Sequence, residues 1–372
     1  MNILLVGAGG YGALYAKELL NPPRSDIKLE GIVDPYVSAS SMYKDILAQQ
    51  IPVYDTIDAF YAEHHAELAI ISTPPFLHCE QSISALKHGS YVLCEKPVAP
   101  TLDEANRMML AEKEYGKFIA IGYQWSFSDA IRELKQDILS GKLGAPIAMK
   151  TAISWPRNFA YYRRGGGWAG KIEKNGAIIL DSIASNACAH YLHNMLFLLG
   201  QSPDESASAD EMEADCLRAN DIETFDTCSI RARVSGIPIY FIASHATERI
   251  KNPEFVYTFQ NATVCYKEEL GTIMATFSDG TQKNYGNPFA DTFQKLWNTV
   301  DAIRNQTTPI CTVKTAMAHT DFINRLHATA SYIPFDKELI AITENGEGIY
   351  VKGLFERMYR AYDSAKLFSE CE

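Results

Sequence analysis

The chain has 372 residues, a length that suits about two domains. Hydrophobic residues make up 47% and charged residues 21%, which excludes a disordered chain and supplies material for substantial cores. The net charge is −11, from 34 basic against 45 acidic residues, which argues against a nucleic-acid backbone or an anionic membrane as partner.

The eight cysteines are scattered, with no C-x-x-C pair, a pattern of neither a zinc site nor a small disulfide scaffold, so no metal site is expected. No stretch reaches the ~20 apolar residues of a membrane span. The opening MNILLVGAGG is too short and too poor in basic residues for a signal peptide, so a cytoplasmic protein is the expectation.

In chain order, ILLV (3–6) reads as a buried strand and ALYAKELL as a helix. Between them lies GAGGYG, with Gly7, Gly9 and Gly12 in G-x-G-x-x-G register. The first glycine permits a tight turn, the second lets backbone approach a pyrophosphate, and the third lets helix and strand pack closely. The helix N-terminus adds unpaired N–H groups and a positive dipole end. Gly7, Gly9, Gly10, Tyr11 and Gly12 are therefore the expected phosphate cradle. A second strand, LEGIVD, ends at Asp34, 22 residues beyond Gly12, where a carboxylate accepts from ribose hydroxyls. Pro35 and Tyr36 follow, with no adjacent Arg or Lys for a 2′-phosphate, which favours NAD over NADP.

The alternation continues through ELAIIST (67–73), a helix, YVLCEKP (91–97), a helix opened by Thr101 and Glu104 in capping-box spacing, and FIAIGY (118–123). Strands alternating with helices predict a doubly wound parallel sheet, with ligands at the carboxyl ends of its strands. Residues 7–12, 34, 73–75 and 95–97 all fall there. A lysine just past such a strand, Lys96, can donate to a substrate hydroxyl or lower the pKa of a neighbouring base.

GAGGYG, ISTPPFLH (71–78) and VLCEKP (92–97) together resemble the Gfo/Idh/MocA oxidoreductases, which include glucose–fructose oxidoreductase and inositol dehydrogenases. The resemblance implies an α/β Rossmann domain over 1–124 and a substrate-binding and oligomerisation domain over 125–372. The second domain is then α+β, with a large, mainly antiparallel open sheet. It also implies that Thr73, Pro74, His78, Glu95 and Lys96 lie against the cofactor, with Lys96 beside the reacting carbon. A homodimer or homotetramer through the open face of the second sheet follows from the same likeness.

Past residue 124 the alternation breaks. IAMKTAISW (147–155) reads as a strand. The loop after it gathers Trp155, Arg157, Tyr162, Arg163 and Trp168, residue types that pack on sugar C–H faces and bind hydroxyls or a carboxylate. These are the candidate substrate contacts; a loop packing on a neighbouring subunit is the competing reading. Strands dominate from about 224 to 286, and helices are expected in 289–306 and 313–331.

The run from Gly176 to Gly200 has helical length and composition. On a continuous helix, Ser182, Asn186, His190 and His193 or Asn194 share a face with no Lys, Glu or Arg. That chargeless stripe suits a lined cavity, with His193 as a further substrate contact. His190 matches the family's general base, which takes the hydroxyl proton. The family's aspartate four residues earlier is here Asn186, and the nearest acid is Asp181, nine residues back. Asp181 reaches the site only if 181–186 is not regular helix.

The expected activity is an NAD(P)-dependent dehydrogenase acting on a sugar or polyol CH–OH, with Lys96, His190, Asn186 and Asp181 as the catalytic set. Two other classes stay open: an NAD-dependent glycoside hydrolase working by transient oxidation, and a non-catalytic NAD- or sugar-binding sensor.

Overall fold

The computed structural model describes residues 1–371, in two units. One comprises Met1–Tyr123 and Lys295–Met317; the other comprises Gln124–Gln294 and the chain from Ala318 onward.

In the first unit, β1 (Asn2–Val6), β2 (Lys28–Val33), β3 (Val53–Tyr54), β4 (Leu68–Ile71), β5 (Tyr91–Cys94) and β6 (Ile119–Ile121) form one sheet. Its order is β3-β2-β1-β4-β5-β6, with every pairing parallel. Ile3, Leu4 and Leu5 are fully buried, as are all four residues of β4, because helices cover both faces of such a sheet. Thr101 and Glu104 make the expected reciprocal cap at the start of the helix Leu102–Tyr115.

A single boundary at 124/125 does not describe the chain. The first cut falls after Tyr123, but residues 295–317 return to the first unit. There the backbone N–H of Ile121 donates to the Cys311 carbonyl at 2.8 Å, and Trp297 Nε1 donates to Glu18 Oε1 at 3.2 Å. Arg24 pairs with Asp301, and Arg304 with Asp26. Helical periodicity announces these helices but carries no information about where they dock.

In the second unit, β7 (Pro146–Ser154) is followed by the hairpin β8 (Glu173–Lys174) and β9 (Ala177–Ile178). The strands β10 (Ala209–Arg218), β11 (Thr227–Val234), β12 (Ile237–Ser244), β13 (Lys251–Phe259) and β14 (Ala262–Tyr266) come next. The large sheet is completed by β15 (Ile273–Phe277), β16 (Gln282–Gly286) and β17 (Tyr332–Pro334). Among the described residues the large sheet has nine strands, in the order β16-β15-β14-β13-β7-β12-β11-β10-β17. It is mainly antiparallel; β7 with β12 and β10 with β17 are the parallel pairs.

The sheet is not bare on the side expected to be open. The helix Leu354–Ser364 packs through Leu354, Met358, Ala361 and Tyr362 on Ala152 of β7 and Ile242 of β12. The side chains that alternate with these, such as Thr151 and Tyr257, turn toward the helix Ala189–Leu198, where Asn194 Nδ2 donates to Tyr257 Oη at 3.3 Å. Both faces of the central strands are thus covered within the chain.

The run 176–200 is not one helix. Asn175 and Gly176 take positive φ, 53° and 80°, and turn the β8–β9 hairpin. An Asn-Gly pair favours this turn because both of its central residues need φ > 0. Leu180 is also at φ 48°. A π-helical turn spans Ile183–Ala187, capped reciprocally by Ser182 and Ser185, and the α-helix begins only at Ala189.

Candidate functional site

The first unit gathers its candidate residues at the carboxyl ends of β1, β2, β4 and β5. Gly7 sits at φ 85°, and a Cβ there would lie 2.7 Å from the Ser72 carbonyl oxygen. A Cβ on Gly12 would lie 2.0 Å from the Gly7 carbonyl oxygen, so helix and strand meet only because both are glycine. Gly9 and Gly10 are exposed, with open space where their Cβ atoms would be. A pyrophosphate needs that combination of a tight base and an open roof.

Asp34 Oδ2 accepts from the Ala8 N–H at 2.8 Å, and its Oδ1 accepts from the Tyr36 N–H at 2.8 Å. The carboxylate therefore holds the glycine turn in place and, with its remaining lone pairs, can accept from ribose hydroxyls. Ser40 Oγ donates to the Ala8 carbonyl at 2.6 Å and supports the same loop. These residues fit a dinucleotide.

His78 is fully buried and faces two carbonyls: Nδ1 is 2.8 Å from Pro97 O and Nε2 is 2.9 Å from Thr73 O. Burial pushes its pKa down, while the two carbonyls pull it up. The ring lies between the Thr73–Pro74 turn and the loop that carries Lys96, and in its neutral form it donates to one of the two carbonyls. Lys96 is half-buried and precedes a cis peptide to Pro97.

Glu95, expected beside the cofactor, is 7% exposed and turns inward. It accepts from Tyr15 Oη at 2.7 Å and pairs with Lys295, which is 1% exposed. The Lys295 ammonium also lies 4.3 Å from the centre of the Tyr11 ring. Lys295 was not singled out from the sequence. The available signal was a lysine on the helix stripe shared with Thr299 and Ala302, both buried.

In the second unit the break at Leu180 brings Asp181 to Asn186. Asn186 Nδ2 donates to Asp181 Oδ1 at 2.9 Å, and the Gly170 N–H donates to Asp181 Oδ2 at 2.6 Å. The acid and the amide thus form one unit at the foot of the turn that leads to half-buried His190. π-Helical turns recur at functional sites because they redirect side chains that a regular helix would send elsewhere.

The loop residues separate into groups. Trp155 donates from Nε1 to Asn252 Oδ1 at 2.8 Å, and its ring meets that of Tyr191 edge-on at 5.6 Å. Arg157 lies over the rings of Trp155 and Tyr161, at 5.5 and 5.1 Å. The Tyr162 hydroxyl is buried, and burial near Asp226 pushes its pKa well up. Trp168 is buried beneath Arg164. Arg163 is exposed and lies over Phe159, outside the group around Tyr161.

His193 does not line an open cavity. It is 1% exposed, with Nε2 3.1 Å from Ser126 Oγ and its ring stacked on Phe197. Burial, with His319 and Lys135 nearby, pushes its pKa well down. Its polar neighbour Asn194 is equally buried, so the lower part of the expected stripe is core.

Burial makes several histidines acid-labile struts. His245 is pushed down to about 3 by burial and by Arg157, and His327 to about 4 by burial. Their folded pKa values lie below the unfolded value of about 6.5, so they take up protons on unfolding. The stability they contribute is complete above about pH 6.5 and is lost as pH falls toward 3–4. The urea midpoint is therefore expected to drop between pH 7 and 4.5, and less steeply in His245→Gln. A midpoint equally flat for both proteins across that range would refute the assignment.

Among the described residues no cluster of three His, Cys, Asp or Glu side chains could hold a metal, and no helix is long and apolar enough to cross a membrane.

Residues 1–123 match the oxidoreductase family with an NAD-binding Rossmann fold. The chain is 28% identical over 155 residues to 1,5-anhydro-D-fructose reductase of Ensifer adhaerens, covering 41% of this chain and 44% of that protein. It is 27% identical over 144 residues to inositol 2-dehydrogenase of Salmonella typhimurium, covering 38% and 43%. The chain thus spans less than half the length of these curated relatives. The WlbA dehydrogenase of Bordetella pertussis, solved with NADH and UDP-GlcNAcA, superposes with a TM-score of 0.71. That superposition covers 89% of this chain and 96% of that one at 19% identity, a likeness of fold. Over residues 1–123, its NAD-binding Rossmann domain, the chain matches the Gfo/Idh/MocA family of oxidoreductases.

Proposed function

We propose that the protein is an NAD-dependent dehydrogenase of a sugar or polyol hydroxyl. The observation that carries this reading is the placement of His78. It lies between the Thr73 turn and the Lys96 loop at the strand ends where the glycine turn and Asp34 also lie.

Gly7, Gly9, Gly10, Tyr11 and Gly12 would hold the pyrophosphate of NAD, Asp34 the ribose, and Thr73 and Pro74 the far side of the nucleotide. When bound, NAD supplies a hydride acceptor. Lys96 donates a hydrogen bond to the reacting hydroxyl and stabilises negative charge as it develops there. His190 accepts the hydroxyl proton. Asp181 orients the Asn186 amide, and that amide takes the place of a carboxylate in holding His190. Trp155, Arg157, Tyr162 and Trp168 shape the sugar side. The reading extends to a cytoplasmic homo-oligomer assembled through the large sheet beyond the footprint of the helix Leu354–Ser364, to be checked by light scattering.

The test is NADH formation at 340 nm across a panel of sugars, polyols and sugar acids. The expected result is turnover of at least one compound that Lys96→Ala and His190→Ala each suppress. Turnover that survives both substitutions would overturn the assignment, as would release of a chromogenic aglycone without any NADH signal.

A further inference from the structure

Arg157 stands apart from the other arginines. Each other half-buried arginine among the described residues reaches a carboxylate or a backbone carbonyl, as Arg24 meets Asp301 and Arg231 meets Glu213. Arg157 has neither, and its Nε is buried without a hydrogen-bond partner. Its guanidinium is held instead against the Trp155 and Tyr161 rings. Aromatic stacking fixes the plane of the fork and leaves its N–H edge for a ligand.

His245 shares the Tyr161 ring, which it meets edge-on at 5.5 Å. It is 2% exposed, Nδ1 is 2.7 Å from the Trp155 carbonyl, and Nε2 is buried without a partner. A neutral ring that donates Nδ1–H to a carbonyl presents Nε2 as a bare acceptor. Such an atom takes a hydroxyl, not a carboxylate. The nearby acid Asp181 already accepts from Gly170 and Asn186. The group around Tyr161 therefore offers a cationic fork and a neutral acceptor.

We propose that Arg157 and His245 form a subsite for a hydroxy-carboxylate, so that the favoured substrates are sugar acids, with Arg157 binding the carboxylate and His245 accepting from a neighbouring hydroxyl. This rests on the dehydrogenase reading for its substrate, but it is read by binding alone.

The test uses the full chain loaded with NAD and matched pairs differing in the acid: D-glucuronate with D-glucose, D-galacturonate with D-galactose, and D-gluconate with D-glucitol. Calorimetry gives Kd for each member. At least one acid is expected to bind about 10- to 100-fold tighter than its neutral partner, the range of a hydrogen bond to a charged group. Arg157→Gln is expected to collapse that ratio toward one. Arg157→Lys, which keeps the charge but loses the fork, is expected to fall between. Ratios near one throughout the wild-type panel, or a preference that persists in Arg157→Gln, overturn the subsite. Turnover followed separately at 340 nm distinguishes the two readings. Acid-selective binding without NADH leaves the subsite standing and removes the dehydrogenase; NADH formation without acid preference does the reverse.

Discussion

His190→Ala is expected to lower kcat by about 100- to 10,000-fold, the range for removal of a positioned general base. The glycine turn and Asp34 are untouched by this change, so the Kd for NAD is expected to stay near the wild-type value. Asp181→Ala provides the graded control. It removes the acceptor that fixes the Asn186 amide but leaves the imidazole in place, so its effect on kcat is expected to be smaller than that of His190→Ala. A His190→Ala enzyme that keeps wild-type kcat would remove His190 from the chemistry.

Lys295→Met is expected to cost about 3–5 kcal/mol of stability, because breaking a buried ion pair strands the other charge. Glu95 is 7% exposed and keeps Tyr15 Oη and the Lys96 N–H as partners, neutral donors that cannot replace an ammonium. The double variant Lys295→Met/Glu95→Leu removes both charges and should regain much of the loss. The first unit reports directly in urea through Trp297, which lies in the same helix. NAD affinity should also weaken in Lys295→Met, because Lys295 lies over Tyr11 of the glycine turn. A double variant no more stable than the single one would show that the pair acts through packing and not through charge.

How much was legible follows from the range of each interaction. The nucleotide half could be read residue by residue, since its devices are local. Glycines at fixed steps, a strand before, a helix after and an acid at the end of β2 specify one turn and its use. The capping box at Thr101 and Glu104 is equally local. The Asn175-Gly176 hairpin was legible too, but the helical composition of the run around it masked the signal. Apolar and small residues suit a helix, a π-turn and a buried hairpin alike, so composition could not locate the start at Ala189.

The sequence by itself determined the parallel sheet and the dinucleotide turn, because each is set by neighbours within a few turns of chain; Lys96 and His190 became candidates through the family resemblance. Only the tertiary structure decided which acid stands behind Asn186, that Lys295 neutralises Glu95, that His193 is core, that Arg157 is left without an acid, and that the helix Leu354–Ser364 covers the large sheet. Those outcomes depend on which distant segments exclude water from one another. A lysine and a glutamate 200 positions apart leave no periodic trace of their pairing. The same physics turned Asp181 from a residue on the wrong side of an imagined helix into the partner of Asn186. Between the β8–β9 hairpin and the π-helical turn the backbone of Leu180 takes φ 48°, so no single helix runs through Asp181 and Asn186.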